Sequence, residues 1–563
     1  MTNRPGPTTV SPNQQGMKGA IVSQTNTAHI DTFVADRLPR LDQWPTLQGV
    51  DHYPAVINAA DELLRVVRGD SAGSQEFDPS HAAYHCGEKS WSYSHLDEQV
   101  KRLAGVLTGP MGLVPGNRVL IRGFNSPETA AAILACFHAG LVAVPTMPLL
   151  RSPELDRMAD RASIDTVLCD ARLATEATNM SRPGLVVELW GPGGNLDEEI
   201  AAASPIESVP TAATDVAMIL FTSGTTGDPK AACHLHRDMV AICDTVGEDV
   251  YRLGPSDTVT GTPPLAFAYG FGAFCAFPLR AGASTVLIEQ PGPTALLDAI
   301  EHHRATVVFT APTAYRGLLS MLDGRDISSL RYGASAGETL PAPTYDAFLE
   351  ATGVELLDGI GSTEMLHVFL SCRPGDTRPG STGVDVSGYV NRVVDDDGCE
   401  LAPGQVGHLE VIGPTGCLYL DDERQQTYVV NGWNRTGDLY MRDSDGWFWY
   451  QSRSDDMIIT SGYNVAGPEV EAALLSHPQV AEAAVVGIPD PQRGHLVKAF
   501  VVTNDETDDP AALGAILQDH VKNKIAPYKY PRQVEFVSEL PKTGTGKVQR
   551  FMLRDRERAD SDQ

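Results

Sequence analysis

Two lysines at the ends of glycine- and hydroxyl-rich loops are the first residues in this sequence to suggest chemistry. The string Phe221-Thr222-Ser223-Gly224-Thr225-Thr226-Gly227-Asp228-Pro229-Lys230 follows an apolar run. Its amides, hydroxyls and terminal ammonium suit a loop that embraces a polyphosphate. An ordinary Gly/Ser/Thr surface loop is the bland alternative. It is not a Walker A loop, because G-x-x-x-x-G-K-[ST] is not matched. The second lysine lies in Gly544-Thr545-Gly546-Lys547. A Walker A reading there would need glycine where Pro541 stands. A lysine on an exposed glycine loop can reach another domain's site as a mobile cation; alone, it is equally a solvated lysine.

Two further strings carry polar groups among glycines. Gly333-Ala334-Ser335-Ala336-Gly337 matches G-x-S-x-G, the nucleophile elbow of serine hydrolases, which needs a strand, a tight turn and an immediate helix. A strand is expected at 330–332, but Pro341 and Pro343 delay any helix, so a serine hydrolase is a remote alternative. In Asp358-Gly359-Ile360-Gly361-Ser362-Thr363-Glu364, the glycines permit close backbone approach to a flat ligand. Thr363 can donate to a phosphate, and Glu364 can hold a Mg²⁺ bound to that phosphate. A turn flanked by acidic residues is the alternative. The pairs His234/His236 and His302/His303 have no cysteine or carboxylate partner set in sequence, which argues against a metal site there.

Regular elements must position these strings. The chain has 563 residues, room for about three or four packed units. Short β-branched runs at 118–122, 141–144, 166–169, 217–222, 258–263, 284–289 and 307–310 alternate with helical stretches at 127–139, 294–303 and 312–322. That alternation predicts an α/β fold with layered, largely parallel sheets. After about residue 380 the texture changes to strand-like segments at 389–394, 408–412 and 447–450, separated by Asp-Gly and Pro-Gly turns. These predict a small antiparallel, barrel-like β-unit. Beyond residue 454, helices at 467–475 and 510–524 and strands at 480–486 and 497–503 predict a compact, mobile α+β domain. The expected organisation is a disordered tail over 1–27, a large domain over 28–453 and a small one over 454–563.

Composition narrows the function. Lys and Arg total 43 against 72 Asp and Glu, a net charge of −29. So acidic a surface repels phosphate backbones and anionic headgroups, so neither nucleic acid nor membrane is an expected partner. Nine cysteines without a C-x-x-C pair fit a reducing, cytoplasmic compartment. The apolar stretch 129–150 is broken by His138, Gly140, Pro145 and Pro148, and reads as a buried helix followed by a buried strand.

Taken together and in order, these strings resemble the adenylate-forming superfamily of acyl-CoA synthetases, adenylation domains and luciferases over about residues 28–554. The carrying motifs are the loop 221–230, the aromatic segment Pro264-Leu265-Ala266-Phe267-Ala268-Tyr269-Gly270-Phe271-Gly272, Ser335-Ala336-Gly337-Glu338, residues 358–364, Arg435-Thr436-Gly437-Asp438-Leu439, Ser452-Arg453-Ser454-Asp455-Asp456 and Lys547. Gly361-Ser362-Thr363-Glu364-Met365-Leu366-His367 is similar to benzoate-CoA ligases. Segments 143–151, 309–316, 461–471 and 526–532 are similar to 2-aminobenzoate-CoA ligases. One departure is Ser452, where most of the superfamily has glycine.

The resemblance implies an ATP-dependent ligase that makes an aryl-adenylate and then an aryl-CoA thioester, with ATP, Mg²⁺ and coenzyme A as the small molecules required. It implies catalytic roles for Lys547, Thr363, Glu364 and Lys230, with Glu364 on the metal. ATP or AMP would meet Thr222, Ser223, Gly224, Thr225, Thr226, Gly227, Ser335, Ala336, Gly337, Glu338, Asp358, Gly359, Ile360, Gly361, Asp438, Tyr450 and Arg453. The aromatic acid would meet Phe267, Ala268, Tyr269, Gly361, His367 and Val368, with His367 either bonding an ortho substituent or simply packed. Asp455 is the matching hinge, and Ser461, Gly462 and Tyr463 the matching CoA segment. An enzyme that loads a carrier protein is the alternative within the superfamily, and monomer and homodimer both stay open.

Overall fold

The computed structural model describes residues 27–69, 77–222, 229–454, 456–460, 463–490, 493–504, 509–542 and 547–561. The expected tail falls almost wholly outside them; Thr27, its last residue, donates to the Asp215 carboxylate.

Two layered sheets form the large domain. The first runs in the order Val186–Trp190, Thr166–Asp170, Arg118–Arg122, Val142–Thr146, Val216–Thr222, Lys230–Leu235, parallel except for the final antiparallel hairpin. The second has nine strands, with Glu355–Gly361, Tyr332–Ser335, Val307–Thr310, Thr258–Gly261, Ser284–Val286 and Ala82–Cys86 parallel at its centre and antiparallel strands at both edges. Between the layers lies the helix Pro127–His138, of which every residue except Glu128 is buried. This position explains the most apolar stretch of the sequence: an element enclosed on all sides has no polar stripe. Ser126 caps the helix by accepting from the Thr129 amide, Pro127 opens it, and Gly140 at φ +68° turns the chain back into Val142–Thr146. No helix among the described residues is long and apolar enough to cross a membrane.

Residues 390–453 form a five-stranded antiparallel sheet. Its longest strand, Trp433–Arg442, has no hydrophobic alternation, because the residues on its buried face are Asn434, Thr436, Asp438 and Tyr440. The small domain follows as a sheet of Tyr463–Val465, Ile458–Thr460, Gly494–Thr503 and Val480–Asp490, with Gln533–Phe536 paired to Gly494–Thr503. The helices Gly467–Leu475 and Pro510–Lys524, with the limits the sequence predicts, pack on it.

In the second sheet, Thr310 pairs with Ser335 and Ser335 with Asp358, so the carboxyl ends of three parallel strands lie side by side. That edge is where open α/β sheets take ligands. The same geometry removes the nucleophile elbow: Ser335 ends its strand, and the next helix, Ala342–Thr352, begins only after Pro341.

The contact between the nine-stranded sheet and the antiparallel unit generates a stability prediction. Gly383 has φ +108°, its carbonyl accepts from the Phe448 amide at 2.9 Å, and an added Cβ would stand 2.0 Å from the Ser371 carbonyl carbon. Gly383→Ala combines an unfavourable φ with a backbone clash, a cost of about 3 kcal/mol or more. The apparent melting midpoint should fall by several degrees; an unchanged midpoint would contradict this account of the joint.

Candidate functional site

The strand that ends at Thr222 and the strand that begins at Lys230 form an antiparallel hairpin. Thr222 ends the outgoing strand and pairs directly with Lys230, which opens the return strand. Segment 418–420 runs along that return strand: the Cys233 amide donates to Leu418 O at 2.8 Å, and the Leu420 amide to Ala231 O at 2.9 Å. Tyr419 is thereby fixed, fully buried, with the Lys230 ammonium 5.2 Å from its ring centroid and its hydroxyl donating to Glu364 Oε1. A cation over an aromatic face and a hydroxyl on a carboxylate thus tie two expected catalytic residues to one side chain. Tyr428 lies alongside, its hydroxyl 3.2 Å from Ser362 Oγ. The turn after Glu364 passes through Leu366 at φ +67°, an uncommon conformation for a branched residue, and swings the chain into His367.

Farther along the cleft, a second cluster forms where the small domain meets the large one. Asp438 is buried, and its Oδ1 accepts from Arg453 Nη1 at 3.1 Å. Burial raises its carboxyl pKa, against the opposing pull of Arg453, Thr436 and Lys547. Gly437, at φ +80°, leaves the space the guanidinium uses: a Cβ there would stand 3.0 Å from Arg453 Nη2. Lys547 comes from the small domain to Gly337, where its Cε lies 3.5 Å from the place a Cβ would take. The residue as a whole is exposed, while the end of its side chain is partly desolvated beside Gly337. That desolvation lowers its pKa; Glu338 raises it, Arg453 lowers it and Asp438 raises it again, in that order of size. Glu338 is anchored by Thr313 Oγ1 at 2.6 Å.

The aromatic end is built on a short irregular helix. Phe267 precedes Ala268–Phe271, which passes into a π-helical turn, Gly272–Ala276. A Cβ on Gly272 would lie 2.3 Å from His367 Cδ2, so this glycine makes the room His367 occupies. The imidazole is walled by Phe277, Tyr269 and Tyr251, at centroid distances of 4.6, 5.5 and 6.0 Å. Burial pushes its pKa down to about 3, so the ring is neutral near pH 7. The Tyr269 backbone lies close but outside hydrogen-bond geometry, leaving both ring nitrogens without a partner among the described residues. Tyr269 is itself fixed by its hydroxyl, which donates to Ala334 O at 3.0 Å. Gly361 is exposed beside this wall, and a side chain there would strike the backbone of His367 and Val368.

The structure therefore brings Thr222, Lys230, Thr363 and Glu364 to one end of a cleft. Along its middle it brings Ser335, Ala336, Gly337, Glu338, Asp438, Tyr450, Arg453 and Lys547 together with the strand end Asp358-Gly359-Ile360-Gly361. Tyr450 stacks edge-on against Tyr440, at 5.5 Å. Ser335 Oγ makes no hydrogen bond among the described residues and has no histidine partner there. His234 and His236 are buried, and His236 Nδ1 accepts from the Ala59 amide. Ser223, Gly224, Thr225, Thr226, Gly227, Asp455, Ser461 and Gly462 lie outside the described residues; Tyr463 is described only as backbone, opposite Thr460.

The sequence does not mark Tyr419, Tyr428, Tyr251 or Phe277, and it marks Gly272 only as the last residue of the aromatic segment 264–272. Tyr419 sits in an irregular segment, so no periodicity marks it. If it orients Glu364, Tyr419→Phe should slow ATP–pyrophosphate exchange by about 10-fold, the scale of one lost hydrogen bond to a charged group. Tyr419→Leu, which also removes the ring beside Lys230, should slow it further. Equal, small effects from both substitutions, measured at saturating substrates, would contradict this arrangement.

Comparison with known proteins agrees with this geometry. The sequence model of the AMP-binding enzyme family matches residues 73–418, and that of the AMP-binding enzyme C-terminal domain matches residues 469–547. A benzoate–CoA ligase of Thauera aromatica is 36% identical over 516 residues, 89% of this chain and 96% of that protein. The crystal structure of the anthranilate CoA ligase AuaEII in complex with anthranoyl-AMP superposes with a TM-score of 0.85 at 33% identity, covering 91% of this chain and all of that one. A benzoate CoA ligase from Burkholderia xenovorans LB400 gives 0.81 at 33% identity, over 88% and 99% of the two chains. With both family models matched in order and a relative 36% identical over 89% of the chain, the chain belongs to the AMP-binding enzymes of the adenylate-forming superfamily.

Proposed function

We propose that this enzyme, an AMP-forming acid–CoA ligase, activates a benzoate-type acid, 2-aminobenzoate or benzoate, and passes it to coenzyme A. The observation that carries this reading is the box around His367. The Phe277, Tyr269 and Tyr251 rings pack on the imidazole itself at 4.6–6.0 Å, and such an aromatic cluster with small gaps at Ala268 and Gly361 suits a flat ring rather than a long alkyl chain. A neutral imidazole with two unpartnered nitrogens is a costly thing to bury. An ortho amino or hydroxyl group on the acid would supply the missing bond. The benzoate and anthranilate ligases among the relatives support the same substrate class.

In the first half-reaction a carboxylate oxygen bonds to the α-phosphorus of ATP while the bond to pyrophosphate breaks. Anion meets anion, and the chain's own cations offset that repulsion. Lys230 stands at the phosphate-loop end, Thr363 donates to a phosphate oxygen, and Lys547 approaches from the small domain. Asp438 accepts from the ribose hydroxyls, and Arg453 holds that carboxylate in place. Ser335, Ala336, Gly337 and Glu338 form one wall for the adenine; Asp358, Gly359, Ile360 and Gly361 form the other. Glu364 is a single carboxylate, one oxygen of which accepts from Tyr419, and a lone carboxylate suits Mg²⁺ shared with substrate phosphates rather than an all-protein cage. When bound there, Mg²⁺ supplies charge neutralisation on the phosphates.

In the second half-reaction the CoA sulfur bonds to the acyl carbon, and AMP leaves. The small domain turns about Asp455, Lys547 withdraws, and Ser461-Gly462-Tyr463 come to the acyl site. No protein nucleophile takes part.

The test is ATP–pyrophosphate exchange over ring-substituted benzoates and fatty acids, followed by thioester formation with free CoA. Small ortho-substituted benzoates should support exchange, and medium and long fatty acids should not; exchange with octanoate or palmitate alone would overturn the aryl assignment. Failure with free CoA, alongside robust exchange, would point to a carrier-protein acceptor. His367→Ala should weaken 2-aminobenzoate use by about 10-fold more than benzoate use, on the scale of one substrate hydrogen bond. Equal loss on both acids would mean that the histidine only packs.

A further inference from the structure

Arg316 takes no part in the chemistry above, yet it spans the boundary between the two domains. It lies on the large-domain helix Pro312–Leu319, one turn beyond Thr313, the residue that anchors Glu338. Its Nη1 donates to the Ala481 carbonyl of the small domain at 3.0 Å. Ala481 is the irregular residue of its strand: Val480 pairs with Thr503 and Glu482 with Val502, so the ladder slips past Ala481. A bulge of this kind leaves a backbone group outside the ladder and re-aims it, and here the carbonyl meets Arg316.

The surroundings of the guanidinium are acidic and come from both domains. Glu482 and Glu471 on the small domain and Glu338 on the large one act on its charge. Two of these are held rigidly within the small domain. Glu471 accepts from Arg550 Nη2 at 2.7 Å on Oε2 and from Arg550 Nε at 3.1 Å and the Val485 amide at 2.8 Å on Oε1; Glu482 is paired with Lys542 at 2.7 Å. Arg316 Nε is buried without a partner among the described residues, so the guanidinium depends on what the small domain supplies. The orientation that brings the Ala481 carbonyl to Arg316 is also the one that brings Lys547 beside Gly337 and Glu338.

We propose that Arg316 is a positioning residue: by holding the bulge carbonyl of Ala481, it docks the small domain in the orientation in which Lys547 reaches the nucleotide cleft. Arg316 does not touch substrate. It sets how often the domain occupies the adenylating arrangement rather than the one used for thioester formation. This rests on the two-half-reaction reading given above.

The experiment compares the full-length parent enzyme, Arg316→Ala and Arg316→Lys in each half-reaction separately. Removing one charged hydrogen bond at a two-state interface should lower the maximal rate of ATP–pyrophosphate exchange by about 5- to 50-fold. KM for the acid should change by less than about twofold, because no substrate contact is lost. Thioester formation from supplied aryl-adenylate should hold or rise, and Arg316→Lys, which keeps a cationic donor, should recover part of the exchange rate. By hydrogen exchange, Arg316→Ala should lose protection in Pro312–Leu319 and Gly467–Leu475, while the central strand Gly494–Thr503 keeps it. Equal loss of both half-reactions, unchanged exchange, or lost protection throughout the small-domain core would overturn the proposal. If the parent itself shows no acid-dependent exchange, the two-half-reaction reading falls, and the role of Arg316 with it. Selective loss of exchange in the variant, with the parent active in both steps, supports both.

Discussion

Like charges must meet in the cleft of this enzyme, inside a chain that is itself strongly acidic, with a net charge of −29. A carboxylate and a triphosphate repel each other, and the rest of the protein adds to that repulsion unless its positive groups are concentrated where the anions converge. The architecture can be understood as a way of doing this. Lys230 is held at one end by the ring of Tyr419, Arg453 is held in the middle by Asp438, and Lys547 is delivered from a separate domain. Arg453 is paired with Asp438, Lys547 lies in the field of Glu338 and Asp438, and Lys230 and Glu364 meet the same Tyr419 side chain. Gly437 leaves room for the Arg453 guanidinium, and Lys547 comes to van der Waals distance of Gly337.

Much of this was legible in the sequence, for physical reasons that can be named. The strands Arg118–Arg122 and Val307–Thr310 and, apart from Glu128, the helix Pro127–His138 are buried, so the apolar runs 119–121, 307–309 and 130–137 announce them. The helices Gly467–Leu475 and Pro510–Lys524 carry a proline in the first turn, which fixes their starts. The glycine- and hydroxyl-rich strings were visible because few other tasks need such residues together. The strand Trp433–Arg442 was not visible, because polar Asn434, Thr436 and Asp438 occupy the face a hydrophobic pattern would mark. It carries Asp438, so its unusual polarity has a use at the site.

Other parts of the site were hidden because they arise from contacts across long sequence separations. Tyr419 and Glu364 are 55 residues apart and belong to segments with no common pattern. The room around His367 depends on Gly272, in a π-helical turn that no propensity marks. The G-x-S-x-G string shows the opposite error: the pattern is present, but Ser335 closes a strand with no helix behind it. A short motif becomes informative only once its elements are placed.

The division of labour between the two domains is the central claim, and Lys547 and Gly462 test it most directly. Adenylate formation and thioester formation should be measured separately, the second from supplied aryl-adenylate, in Lys547→Ala and Gly462→Leu. Lys547→Ala should slow adenylation by about 10²–10³-fold, as loss of one preorganised charge does, and leave thioester formation far less affected. Gly462→Leu should do the reverse. If both folded variants lose both steps in equal measure, one fixed arrangement serves the whole reaction and the alternating account is wrong.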